Sequence, residues 1–393
     1  MSVSSSIFDN TQVAFAPKSN AQLQKAKFLF SMIGNNHLVR VGSSLANLAL
    51  RLHLPITPAF RFSVYDHFCG GESFEECKKT ISDLKKFGVY SMLNYGVELK
   101  ESEADFDKTI ERNLEAIDFA GKNNEVKVLC IKLTGFGRFG LFEKIQEQKK
   151  LQATEQREWQ RVVARFHRLC KAASKNTVSL YVDAEESWIQ NPMDDLVEEM
   201  MQHYNQERAV VFNTFQIYRW DRLAYLKKSF AKAQQQKYLL GAKLVRGAYM
   251  EKERKRAEEL GYQSPIHATK ESVDKDFNES VAFCLAHLQH ISVCIASQSE
   301  ESNWLAVKTI KQLKIDHQHP HILFSQLYGM GDNITFNLAE QGFNACKYLP
   351  YGPVKDVIPY LMRRAQENTS VAGQTGRELK LILDELARRK QNP

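Results

Sequence analysis

Two hydrophobic registers alternate along this chain. Short apolar runs at residues 89–94, 126–133, 178–183, 209–216, 240–246, 291–296, 321–326 and 344–349 are separated by longer charged stretches. Within those stretches apolar residues recur three and four apart. Continuous apolar runs are how strands buried on both faces read, and the stretches between them read as crossover helices. Helices are predicted over 105–120, 155–173, 194–204, 222–235, 273–287 and 303–313. Eight such units are the number that closes a barrel. An open doubly wound sheet uses the same alternation, but no G-x-G-x-x-G or G-x-x-x-x-G-K-[ST] loop follows any strand. The pattern therefore favours an α/β fold, a (β/α)8 TIM-like barrel.

Ahead of the barrel, residues 20–54 read as helical. Leu23, Ala26, Leu29, Phe30 and Ile33 hold helical spacing until His53-Leu54-Pro55 breaks it. This divides the chain into an N-terminal helical segment, 1–60, and a barrel, 61–393, that includes a C-terminal helix. In that last segment Leu379, Leu381, Ile382 and Leu386 share one side, and docking on the core is expected for them over lipid contact. Residues 147–161 read as a solvated helix or insert.

Composition narrows the function classes. The chain has 393 residues, 43% hydrophobic and 25% charged, which is ordinary globular composition. The net charge of +7 comes from 53 Lys and Arg dispersed among 46 Asp and Glu, so there is no basic arm and no nucleic-acid module. Seven cysteines form no C-x-x-C pair, which points to a reducing compartment and no cysteine-bound metal. No basic start precedes an apolar run at the N-terminus, and no stretch reaches the length of a membrane span. A cytoplasmic location is expected, with peripheral membrane contact left open.

Barrel chemistry sits at the C-terminal ends of strands, so polar residues that terminate apolar runs are the candidates. Lys132 ends the second run, where it can point into the barrel mouth or snorkel outward along a helix. Facing inward it would hold an anionic group or form a Schiff base. Asp183 comes directly off the third run, whereas Glu185 and Glu186 read as helix caps. Gln216 ends the fourth. Lys243-Leu-Val-Arg246-Gly-Ala-Tyr249 sets two cations beside a Gly-Ala pair that lets backbone approach a flat or phosphorylated ligand; a salt-bridge layer is the even alternative. After Lys347-Tyr348, the predicted helix carries Tyr360, Arg364 and Glu367 on one face with Arg363 flanking. Paired guanidinium groups suit a carboxylate clamp, although a surface ion pair is the commoner fate of such residues.

These residues, together with Leu327-Tyr-Gly-Met-Gly331, resemble the FAD-dependent proline dehydrogenase family, in its monofunctional form, from Arg61 to about Gln374. The resemblance implies a (β/α)8 barrel with its final helix over the mouth. It implies oxidation of L-proline to 1-pyrroline-5-carboxylate by hydride transfer to flavin N5, with membrane quinone as the electron acceptor and peripheral association with the inner membrane. By that similarity Arg363, Arg364 and Lys132 bind the proline carboxylate, Glu367 braces an arginine, and Tyr348, Tyr360, Leu244 and Tyr249 wall the ring. FAD contacts Ala184, Gln216, Arg246, Gly247, Ala248, Ser297 and Gln298, with Thr269 and Lys270 on its phosphate side. Asp183 and Lys243 take the catalytic positions, Lys243 near the reactive edge of the flavin and Asp183 organising the site rather than accepting a proton. Family members commonly carry arginine where Lys243 stands and Thr-His where Ser297-Gln298 stand. Lysine keeps the charge but loses the bidentate fork. No metal is implied. A Schiff-base aldolase using Lys132 or Lys243, and a flavin barrel acting on a reduced folate, are the enzyme rivals.

Overall fold

Each strand of the sheet is buried along nearly its whole length, because side chains on one face fill the barrel and those on the other meet the helices. A computed structural model describes residues 7–34, 60–96, 101–370 and 374–391. Its strands are β1 (Val89–Tyr95), β2 (Val126–Ile131), β3 (Ser179–Val182), β4 (Val211–Gln216), β5 (Leu240–Val245), β6 (Ile291–Ala296), β7 (Ile322–Leu327) and β8 (Ala345–Tyr351). They follow one another in a closed parallel barrel in the order β1 to β8. Every expected strand is present, with ends shifted by at most two residues. The expected N-terminal helix is present over Asn20–Ile33 with Gly34 at its C-cap, and residues 35–54 lie outside the described residues.

Helices depart from expectation where polar residues mask the period. The helix expected over 194–204 begins at Ser187, its first turns hidden by Gln190-Asn191-Pro192. Of residues 147–161, read as a solvated helix or insert, those from Ala153 are helical and begin a helix running to Lys175, opened by a capping box between Gln152 and Glu155, while 147–152 are not helical. Met250–Leu260 is helical although almost wholly charged, burying only Glu253 and Ala257.

The chain divides into two compact units, residues 1–98 with 326–393, and residues 99–325. In the first, helix Asn20–Ile33 buries Leu23, Ala26 and Phe30 in a cluster with Tyr65, Val357, Tyr360 and Leu361. Leu381, Ile382 and Leu386 of helix Gln374–Gln391 enter the same cluster, so this helix docks its apolar side on the core as expected. Beneath the cluster lies a buried ionic group. Asp332 pairs with Lys18 at 2.6 Å and with Lys347 at 2.7 Å, and Lys347 also donates to the Met330 carbonyl. Glu378 accepts from the Gly331 N–H at 2.5 Å.

Burial pushes the Glu378 carboxyl up to about 7, and Asp332 adds to the rise. An acid whose folded pKa lies above its unfolded value, about 4.3, favours folding most below the unfolded value, and that contribution is lost as pH climbs through the folded one. Stability should therefore decline between about pH 4.5 and 7 on this account. Glu378→Gln, which keeps an acceptor for Gly331, should flatten that limb of a urea-denaturation series; an unchanged slope would remove Glu378 as its source.

Among the described residues, no helix is long and apolar enough to cross a membrane.

Candidate functional site

Strand register decides which residues face inward. Cys130 on β2 lies level with Tyr181 on β3, and Tyr181 with Phe212 on β4, their rings 4.2 Å apart between centroids. Two residues further on, the same face carries Lys132, Asp183, Thr214 and, across the β4–β5 register, Lys243. The opposite face carries Phe215, which packs on Tyr225 of helix Arg222–Gln236. Lys132 stands one residue past the end of β2 in extended conformation, so it keeps the inward alternation.

Lys243 and Asp183 form a pair with Nζ and Oδ1 2.6 Å apart and both side chains largely buried. Burial works against the Lys243 charge, yet Asp183 overrides it and holds the ammonium above its usual range. Leu244, the next residue, is level with Phe215 and Ile295. It is fully buried on the outer, helix-facing side, so the expectation that it walls a ligand is corrected: Val245 shares the inward face with Lys243. Strand alternation leaves room for only one of two consecutive residues in the barrel.

The segment after β3 corrects a second expectation. Glu185 and Glu186 do not cap helix Ser187–Tyr204 with their side chains. Glu185 instead accepts from the Thr134 hydroxyl at 2.9 Å and from its N–H at 3.3 Å, tying the β2 and β3 loops together. Burial pushes its carboxyl up to about 7, opposed by nearby Lys132. Glu186 pairs with Lys252. Gln216, almost fully buried, donates to the Glu185 carbonyl at 3.0 Å, while its Oε1 has no partner among the described residues. A buried acceptor left without a donor costs about 1–3 kcal/mol, so this oxygen calls for an N–H from a bound group.

Arg246 is held from several sides. It donates to Asp274 at 2.6 Å, to the Ser297 hydroxyl at 2.6 Å and to the Ser302 hydroxyl at 2.9 Å, and stacks over the Phe277 ring. The burial of Asp274 is outweighed by hydrogen bonds from Lys270 and Arg246, which keep its carboxyl below the usual range. Gly247 follows at φ +143, and a Cβ there would meet the Tyr218 ring at 2.5 Å. Only glycine fits this bend. Ala184, Ala248, Gln298 and Tyr249 are half-buried around these groups. Thr269 caps helix Lys270–Ala286, accepting from Ser272, and Lys270 turns to Asp274. Those two residues therefore have structural engagements of their own. Thr134, Asp274 and Ser302 are the partners that sequence reading missed; their neighbours in sequence carry no motif, and only folding brings them to the candidates.

In the other unit, Lys347 turns outward to Asp332, so Tyr348 beside it faces inward, level with Met92 of β1, and is buried. Tyr360 is buried in the hydrophobic cluster with the N-terminal helix. Arg363, Arg364 and Glu367 lie in helix Val354–Ser370, as expected for their backbone, but their side chains are outside the described ones.

Fixed cations, an inward acid–base pair and an orphaned amide oxygen at the ends of β2 to β6 fit a flat anionic cofactor. Residues 77–377 match the protein family described as Proline dehydrogenase. The sequence is 35% identical over 322 residues to the carbapenem antibiotics biosynthesis protein CarD of Pectobacterium carotovorum subsp. carotovorum, covering 82% of this chain and 83% of that one. It is 30% identical over 426 residues to proline dehydrogenase 1, mitochondrial, of Dictyostelium discoideum, covering 97% and 74%. Among solved structures, the fold is similar to proline utilization A from Bdellovibrio bacteriovorus, with a TM-score of 0.72 at 17% identity, covering 94% of this chain and 40% of that protein. With residues 77–377 matching the family and relatives at this level of identity, the chain belongs to the proline dehydrogenase family.

Proposed function

We propose that this chain oxidises L-proline to 1-pyrroline-5-carboxylate, with FAD as its cofactor and membrane quinone as the final acceptor. The observations that carry the reading are the inward Lys243–Asp183 pair and, at the end of the neighbouring strand, a buried Gln216 oxygen that lacks a donor among the described residues. Gln216, Ala184, Arg246, Gly247, Ala248, Ser297 and Gln298 are the residues that hold FAD, with Thr269 and Lys270 toward its phosphates. When bound, FAD would supply the acceptor for a single hydride, which carries both electrons of the oxidation.

The protein's own contribution is orientation and charge. Lys132, Arg363 and Arg364 take the proline carboxylate, since guanidinium forks match its geometry and stay charged at working pH. Tyr348, Tyr360 and Tyr249 wall the ring, and Glu367 braces an arginine. Oxidation removes a hydride from the ring carbon beside nitrogen, and the resulting protonated imine gives up its N–H proton to water, leaving a C=N bond. The amine must therefore be neutral when the hydride departs. Asp183, committed to Lys243, organises the cation and takes no proton. Peripheral association of a cytoplasmic enzyme with a membrane would bring it to quinone.

An absorption spectrum of the purified chain tests this directly: bound flavin should bleach on anaerobic addition of proline, and a preparation that retains no FAD would end the reading. Arg364→Met should raise the apparent proline KM on the order of 10–100-fold through loss of charge-assisted bonds, with flavin retained. Unchanged proline kinetics would remove the carboxylate clamp.

A further inference from the structure

Away from the strand ends, three side chains on two neighbouring helices converge without bonding one another. His167 comes from helix Ala153–Lys175, and Glu199 and His203 from helix Ser187–Tyr204. One donor atom from each lies within 4.8 Å of the other two. Glu199 and His203, four apart, sit one turn above each other on the same helix face. His167 is half-buried and oriented: its Nδ1 lies 3.0 Å from the Tyr204 hydroxyl. With Nδ1 engaged, Nε2 is the nitrogen His167 can offer. Among the described residues, neither the Glu199 carboxylate nor the His203 ring makes a hydrogen bond or ion pair of its own. No other trio of histidine, cysteine or acidic side chains converges in this way among the described residues.

We propose that His167, Glu199 and His203 form a binding site for a divalent transition metal ion of the zinc class, with water in the fourth position. Two imidazoles and a carboxylate are the donor set that zinc takes, with bonds of about 2.0–2.2 Å. A tetrahedral site with such bonds holds its donors about 3.4 Å apart. From 4.8 Å the donors must draw at most about 1.4 Å closer, and Glu199 and His203 are exposed side chains. The Tyr204 hydroxyl supplies the outer bond that fixes ligand imidazoles in metal sites. His203 lies sixteen residues into a helix that starts beside Asp183 and runs back toward the strand starts, about 24 Å away along its axis. The ion therefore clips two barrel helices together and takes no part in the oxidation.

A histidine in the last turn of a helix is also favoured by the helix dipole alone, so the test must separate metal binding from that role. The purified full chain would be titrated with Zn²⁺ against a chromophoric chelator, and its thermal unfolding followed with Zn²⁺ and with EDTA. One tight equivalent is expected, together with a Zn²⁺-dependent rise in the unfolding midpoint that EDTA reverses. His203→Ala and Glu199→Ala should each weaken that equivalent at least roughly 100-fold and abolish the rise, while proline oxidation is unchanged. Tyr204→Phe should weaken it about tenfold. The seven cysteines are all buried, so thiols do not supply the competing site. Equal zinc affinity in His203→Ala and the parent, or no bound equivalent in the parent, overturns the proposal.

Discussion

Lys243→Met should lower kcat on proline by about 10²–10³ while the protein remains folded and flavin remains bound, because it removes the buried ammonium that Asp183 holds on the inward face. The same change strands a buried carboxylate. Losing one partner of such a pair costs about 3–5 kcal/mol, so stability should fall along with activity. The two effects separate in a double variant. Lys243→Met combined with Asp183→Asn removes both charges, and its stability should recover most of the loss while kcat stays low. Lys243→Arg keeps the charge and should retain more activity than Lys243→Met. Steady-state kinetics beside urea denaturation of the same preparations read both quantities. If the double variant regained activity together with stability, Lys243 would be a structural residue only.

What could be read from the sequence follows from where the information is local. All eight strands were legible because a strand covered on both faces has no polar positions to break its apolar run. Lys132 and Asp183 stood out as candidates by their place at the ends of such runs, while the choice for Lys132 between the barrel mouth and an outward path was open; alternation continued from the β2–β3 register puts both on the inward face. Leu244 was misplaced because a motif read as a block ignores that consecutive strand residues part to opposite faces. Glu185 and Glu186 looked like caps because carboxylates before a helix usually are. Their true partners, Thr134 and Lys252, lie 51 and 66 residues away, and no local pattern encodes a contact between separate loops. The same holds for Arg246: its cationic character was legible, but not the cage of Asp274, Ser297 and Ser302 that fixes it. The His167, Glu199 and His203 trio escaped notice since its members come from two helices with no shared motif.

A loss of stability as large as that of Lys243→Met is expected from Asp194→Ala. Asp194 is buried on helix Ser187–Tyr204 and accepts from Gln190 at 2.9 Å, from Asn213 at 2.8 Å and from Arg222 at 2.8 Å. Arg222 is itself among the most deeply buried side chains and lies over the Tyr225 ring, 4.1 Å from its centroid. Removing the carboxylate leaves that guanidinium charged in the barrel wall without its counterion, at a cost of about 3–5 kcal/mol. Arg222→Met in the Asp194→Ala background should restore part of it, since an apolar pair of similar volume avoids both desolvation penalties. The consequence extends to the site. Gln190, held by Asp194, accepts from the Glu185 N–H at 2.8 Å, and Gln216 holds the carbonyl of the same residue. Loosening Asp194 therefore frees the segment that carries Asp183 and Ala184. Asp194→Ala should consequently weaken flavin retention more than Arg222→Met alone does, although Asp194 does not lie on the inward face. Equal flavin content in both variants after dialysis would show that the buried network supports the barrel wall without reaching the site.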